Sequence, residues 1–106
     1  MTTIDEHAAA ELQLYIDNTA SIYERITVRT FRTLMRLRRE GIYKSVRVLP
    51  VFEQIACIGA QLYAQEHGEP GAKWDTMFDK PTRVEVATRM RDAFEAEAEL
   101  GNYDEL

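Results

Sequence analysis

The sequence predicts an all-α protein, a small helical bundle of three main helices joined by short helical turns. Apolar residues recur at spacings of three and four over three long stretches, about residues 4–40, 51–67 and 80–100. Glycine and proline residues fall between these stretches, where they mark turns. No pair of alternating segments is available to form a sheet.

The first helix is predicted over about 4–40. Thr3 followed by Glu6 has the form of a capping box that opens a helix. One apolar face then continues along the helix through Ala8, Leu12, Ile16, Tyr23, Ile26, Leu34 and Leu37. The weak point is the sequence at 17–19, Asp-Asn-Thr, whose side chains compete for backbone hydrogen bonds. A kink there is the alternative to one continuous helix ending at Gly41.

Residues 42–50, IYKSVRVLP, fit either an extended segment or a short helical turn. Valine and isoleucine favour a strand, but a lone strand would have no partner in this chain, which favours the turn. Pro50 marks either a boundary or the first turn of the next helix. That helix is predicted over 51–67, and its few charges indicate that it is the most buried one.

Residues 68–80 form a loop rich in glycine and proline that contains Trp74 and Phe78, one helical turn apart. We expect these two aromatic side chains to pack into the core. The alternative is a hot spot for a partner, because tryptophan is among the residues that dominate interface energetics. The last helix is predicted over 80–100, with Pro81 in its first turn.

Length and composition predict a single domain over 1–106, with a net charge of −5 and one cysteine, Cys57. A lone cysteine excludes an internal disulfide and, within an apolar run, is expected to be a buried small side chain. The acidic start lacks the features of a signal peptide, and no apolar run reaches the length of a membrane span. The sequence therefore predicts a cytoplasmic protein.

Positive charge is concentrated in residues 25–47, which hold eight of the thirteen basic residues and one acid. Five arginines in this segment are spaced by four, three, four and three: Arg25, Arg29, Arg32, Arg36 and Arg39. At about 100° per residue, their side chains stay within a strip roughly 80° wide on one side of a helix. We call these five residues the arginine stripe. Lys44 and Arg47 extend its charge.

The arginine stripe has three interpretations. It can face water or pair with an acidic edge predicted on the last helix, which consists of Glu85, Asp92, Glu95 and Glu99. It can bind carboxylates of a protein partner or of a second copy of the chain. It can bind nucleic-acid phosphates, assisted by Lys44 and Arg47. No aromatic residues lie among the arginines and no second basic helix follows a short turn, which weakens this last interpretation.

The sequence contains no recognisable catalytic constellation. Neither a nucleophile elbow nor a phosphate-binding glycine loop occurs. His7 and His67 have no second ligand at a spacing suited to a metal. We therefore expect no enzyme activity, no cofactor and no metal.

Three strings carry a resemblance to a known group of proteins: RREGIYKS, QLYAQEHGEPGAKWDTMF and RVEVATRMRDAFEAEAELGNYDEL. The resemblance covers about residues 34–105. The chain resembles small uncharacterised helical proteins from bacteria, plasmids and phages. The resemblance implies a standalone helical protein linked to mobile elements and carries over no activity. The functional hypothesis is a non-enzymatic protein-binding module that modulates or inhibits a host protein complex. Nucleic-acid binding through the arginine stripe is the alternative.

Overall fold

The computed structural model describes residues 4–101, and every regular element within this range is helical, so the all-α class is confirmed. The elements are α1 (Glu6–Asn18), α2 (Ala20–Ile22), a π-helical turn (Tyr23–Thr27), α3 (Val28–Arg39), α4 (Ser45–His67), α5 (Trp74–Met77) and α6 (Lys80–Glu99). Within the described range, no helix has both the length and the apolar character needed to cross a membrane.

The N-cap of α1 is Asp5. Its carboxylate accepts a hydrogen bond from the backbone N–H of Ala8 at 3.0 Å, which satisfies one of the free donors of the first turn. The predicted capping box involves Thr3, which lies outside the described residues. Glu6 ion-pairs with Arg89 of α6 and thereby ties the start of α1 to the last helix.

The helix predicted over 4–40 is interrupted at Thr19 and again at the π-helical turn. Thr19 has extended dihedral angles, φ −96° and ψ 105°, and its hydroxyl donates a hydrogen bond to the carbonyl of Tyr15 at 2.6 Å. The π-helical turn adds one residue to a helical turn, so Ile22 and Thr27, five residues apart, are both buried. The expectation that Tyr23 lies on the buried face is wrong, because Tyr23 is 41% exposed.

α4 begins at Ser45, six residues before the predicted start, and continues through Pro50. Pro50 is therefore neither a boundary nor in the first turn. Proline lacks the N–H that would bond to the carbonyl of Val46, but both residues are exposed, so water can hydrate that carbonyl. Residues 42–44 are not helical and form the linker between α3 and α4.

α1, α4 and α6 pack against one another in pairs and enclose the core. Phe52 of α4 and Phe94 of α6 are fully buried, and the Phe31 ring of α3 lies 6.2 Å and 5.2 Å from theirs. Gly59 lets α1 approach α4 closely, since an added Cβ would lie 2.5 Å from Cγ1 of Ile16. α3 thus joins the core through its buried side and leaves its other side to water.

α5 closes one end of the core. Phe78, just after α5, is 2% exposed, and its ring lies 5.1 Å from that of Tyr63. Trp74 is half-buried, with the guanidinium carbon of Arg83 4.7 Å from its ring centroid. α6 follows, with Pro81 in its first turn as predicted.

Candidate functional site

The arginine stripe lies along the exposed side of α3 and of the π-helical turn. Arg25, Arg29, Arg32 and Arg36 are all exposed, and none of them forms an ion pair within residues 4–101. Arg39 is also exposed but has an interaction of its own. Four of the five stripe arginines therefore present uncompensated positive charge to solvent.

The acidic edge of α6 is largely occupied by other groups. Glu85 and Asp92 pair with arginines of α6 itself, at 3.0 Å and 3.4 Å. Glu95 accepts a hydrogen bond from the Tyr43 hydroxyl at 2.7 Å, and Glu99 is exposed. Across the part of the chain that the structure describes, the acidic edge does not neutralise those four arginines.

A groove of about 480 Å³ lies between α3 and the start of α4. Its apolar lining is graded in depth. Leu34 and Val48 are buried at its floor, Leu37 is half-buried, and Ile42 and Val51 are 58% and 38% exposed. We call this feature the α3–α4 groove.

Basic side chains border the α3–α4 groove on both sides. Arg29 lies on the α3 side, and Lys44 and Arg47 lie on the α4 side. All three are exposed and form no ion pair with a described residue. Thr30 and Thr33 are the uncharged polar residues of the lining, which contains no acid. The groove therefore combines an apolar floor with a positive potential around its edges.

The C-terminus of α3 places Ile42 at the end of this groove. Gly41 has φ 77°, a conformation that glycine adopts without steric cost. The N–H of Ile42 then donates to the carbonyl of Leu37, and that of Gly41 to the carbonyl of Arg38, each at 3.0 Å. This pair of bonds is the Schellman motif, in which the residue after the glycine packs beside the residue five positions earlier. Ile42 and Leu37 consequently line the groove together.

Tyr43 anchors the linker to the bundle. Its hydroxyl donates to Oε1 of Glu95 at 2.7 Å, and its ring centroid lies 5.9 Å from that of Phe94. Lys44 is extended, with φ −129° and ψ 113°. Tyr43 thus packs inward against Phe94, while its neighbours Ile42 and Lys44 line the groove.

The pKa values of this pair favour one charge state at neutral pH. Burial raises the pKa of the Tyr43 phenol, and the hydrogen bond to Glu95 and its negative charge add to that shift. Burial acts to raise the pKa of Glu95 as well. Hydrogen bonding to Ser45 and Tyr43, with the positive charges of Arg91 and Arg38, nevertheless brings that pKa below its ordinary value. The anchor is therefore a neutral phenol bonded to a carboxylate.

The other predicted site residues lie away from the groove. Phe78 is part of the core, and Trp74 lines a separate, more polar cavity of about 600 Å³ at the end of α4. Within residues 4–101, no three His, Cys, Asp or Glu side chains are grouped so that they could hold a metal ion. The sequence indicated Arg29, Lys44 and Arg47 but not the apolar floor between them. The pair Gly41-Ile42 was the available signal, since an apolar residue after a helix-ending glycine packs back on that helix.

No protein-family model matches the chain, and no match was found among curated proteins or solved structures. The α3–α4 groove and the arginine stripe are therefore the features from which a function can be inferred.

Proposed function

We propose that this chain is a non-enzymatic protein-binding module that holds a segment of a partner protein in the α3–α4 groove. The observation that carries the proposal is an apolar floor bordered by Arg29, Lys44 and Arg47, none of which is neutralised by a described acid. Apolar anchors in a groove give affinity, and the surrounding charges select the partner. The Schellman turn and the Tyr43 anchor support the proposal because they hold the groove wall in place without a partner.

The resemblance to small proteins of bacteria, plasmids and phages adds a biological role to the proposal. It suggests that the partner belongs to a host protein complex, which the chain modulates or inhibits. A second copy of the chain is the other partner considered, and the mass of the purified protein in solution distinguishes the two.

Affinity capture with matched variants tests the proposed function. Val51→Glu places a charge on the apolar lining, whereas Gln54→Glu places the same charge on α4 less than one turn away, outside the groove. We expect at least one protein to be captured from host extract by the wild type and by Gln54→Glu, but not by Val51→Glu. A photo-crosslinking residue at Thr33 should label that protein, and one at Gln54 should not. Identical capture by all three forms would contradict the proposal.

Nucleic-acid binding remains the second candidate, favoured by the exposure of Arg25, Arg29, Arg32 and Arg36 on one side of the chain. Phosphate contacts would make such binding strongly dependent on salt. Gel shifts on single- and double-stranded DNA and RNA at low salt provide the test. The absence of a shift, or a shift that persists when Arg29, Arg32 and Arg36 are replaced by alanine, would eliminate this function. Nuclease treatment of the extract before capture separates it from direct protein binding.

A further inference from the structure

The dimensions of the α3–α4 groove match about two turns of a helix. Its α3 wall extends from Arg29 to Leu37, and its α4 wall from Lys44 to Val51. At 1.5 Å per residue, these walls are about 12 Å and about 10 Å long. A helix lying in such a groove presents side chains at positions i, i+4 and i+7, which span about 10 Å on the same scale.

The lining favours a helix over an extended segment. An extended strand exposes one N–H and one C=O per residue, and these groups need partners when they are buried. The groove offers few such partners, since only Thr30 and Thr33 are uncharged polar residues of the lining, and no sheet edge occurs within residues 4–101. A helix satisfies its own backbone hydrogen bonds, so it can place apolar side chains on Leu34 and Val48 without burying unpaired polar groups.

The charges around the groove indicate which residues should flank the apolar face of a bound segment. Arg29 lies on the α3 wall of the groove, while Lys44 and Arg47 line the opposite wall. All three are exposed and without a described ion pair. An occupant with acidic residues on both flanks of its apolar face would meet a positive charge on either side.

We propose that the occupant is an amphipathic helix of another protein, with apolar residues at i, i+4 and i+7 and Asp or Glu on both flanks. This inference rests on the proposed function and names the chemistry of the partner. The α1 helix of a second copy is acidic but offers one large exposed apolar side chain, Leu14, where the groove needs three anchors. Nucleic acid would use the charged edges and leave the apolar floor uncovered.

A set of synthetic peptides tests the inference. All share leucine at i, i+4 and i+7 on a strongly helical backbone, and their flanking positions carry glutamate, glutamine or lysine. A further peptide has the composition of the glutamate form but alternating leucines, as in a strand. Fluorescence anisotropy should rank glutamate first and lysine last, with about tenfold or more between them, which corresponds to about 1.4 kcal/mol. The alternating peptide should bind at least tenfold more weakly than the helical glutamate form.

Variants of the full chain locate the binding site. Lys44→Gln with Arg47→Gln should weaken the glutamate peptide several-fold at low salt, and the loss should shrink at high salt. Lys73→Gln with Lys80→Gln, which removes two exposed positive charges outside the groove lining, is the matched control and should change this affinity little. Equal affinity for the glutamate and lysine peptides, or tighter binding of the alternating one, would overturn the inference. If the partner segment that crosslinks to Thr33 is extended or basic, the inference fails while the proposed function stands. If no partner is captured through the groove, the proposed function fails.

Discussion

Clustered arginines occur on two helices of this protein, α6 and α3, and they are placed in opposite ways. On α6 each arginine has a partner within the described chain: Arg83 a backbone carbonyl at 3.1 Å, Arg89 two glutamates, and Arg91 an aspartate at 3.4 Å. On α3 and the π-helical turn, the four stripe arginines that precede Arg39 have no such partner.

The difference separates arginines that pair within the described chain from arginines that do not. The α6 arginines join α1, α5 and α6, so their removal should be felt in stability. The unpaired arginines of the stripe join nothing in the described chain and repel one another at spacings of three and four. Retaining such a row lowers stability slightly, and that cost is understandable if the row contacts something outside the chain.

The largest expected effect concerns the packed side of α6. Phe94→Ala removes a fully buried ring that contacts Phe31 and Tyr43, and should lower the free energy of unfolding by about 3–5 kcal/mol. Leu14→Ala, at a position that is 63% exposed, is the control and should change it by no more than about 0.5 kcal/mol. Urea unfolding followed by circular dichroism measures both. Similar losses in the two variants would mean that α6 is not the structural element described.

The Tyr43 anchor gives the next largest effect. Tyr43→Phe deletes the hydrogen bond to Glu95 and should destabilise the chain by about 1 kcal/mol at neutral pH. It should also weaken binding in the groove, because Ile42 and Lys44 are positioned through this anchor. Tyr23→Phe, on an exposed ring, is the matched control and should change neither quantity. A loss of stability in Tyr43→Phe without a change in peptide affinity would show that the groove forms independently of the anchor.

The pH dependence of this pair follows from its pKa shifts. The pKa of Glu95 is lowered in the folded state, so its contribution to stability is present above the unfolded pKa, about 4.3, and is lost as pH falls through the folded value. The pKa of Tyr43 is raised, so its contribution is present below about pH 10 and is lost as pH rises through the folded value. The difference in stability between wild type and Tyr43→Phe should therefore be full at neutral pH and shrink toward both extremes. A constant difference from pH 3 to pH 7 would contradict the assignment of Glu95.

Helical periodicity was sufficient to predict the all-α class, and the start of α6 with Pro81 follows from its local sequence. The same periodicity failed between Asn18 and Val28, because a 3.6-residue repeat cannot represent an extended Thr19 or a π-helical turn. The buried residues there are Ile22 and Thr27, whose spacing of five matches no α-helical template. Several helical registers are nearly equivalent in local propensity there, so tertiary packing decides which one the chain adopts.

The charged part of the site was visible in the sequence and its apolar part was not. The arginine spacing alone shows that Arg29 shares a side with the rest of the stripe. The groove floor, by contrast, requires α4 to begin at Ser45, and Pro50 argued for a later start. The position of Pro50 on the exposed side of α4 is what makes an early start tolerable, and that position is a tertiary property.

A direct comparison of the two arginine clusters comes from removing one member of each. Arg89→Gln breaks the contacts with Glu6 and Glu85, and since these groups are partly exposed, the expected loss is about 0.5–1 kcal/mol at low salt. The loss should diminish at high salt, because screening weakens exposed ion pairs. Chemical unfolding at two salt concentrations measures it. If Arg89→Gln left the free energy of unfolding unchanged, the distinction between the α6 and α3 arginines would not hold.

Arg32→Gln should have the smallest effect and the opposite sign. Arg32 has no described ion pair to lose, and it lies three residues after Arg29 and four before Arg36, so it experiences two like-charge neighbours on the same side of α3. Its replacement should raise the free energy of unfolding by about 0.2–0.5 kcal/mol at low salt, and the gain should vanish at high salt. The wild-type chain should therefore be stabilised by salt in this region, whereas the Arg89 contacts are weakened by it. A loss of stability in Arg32→Gln would show that the stripe contributes to the fold, and the argument that it is kept for a partner would then fail.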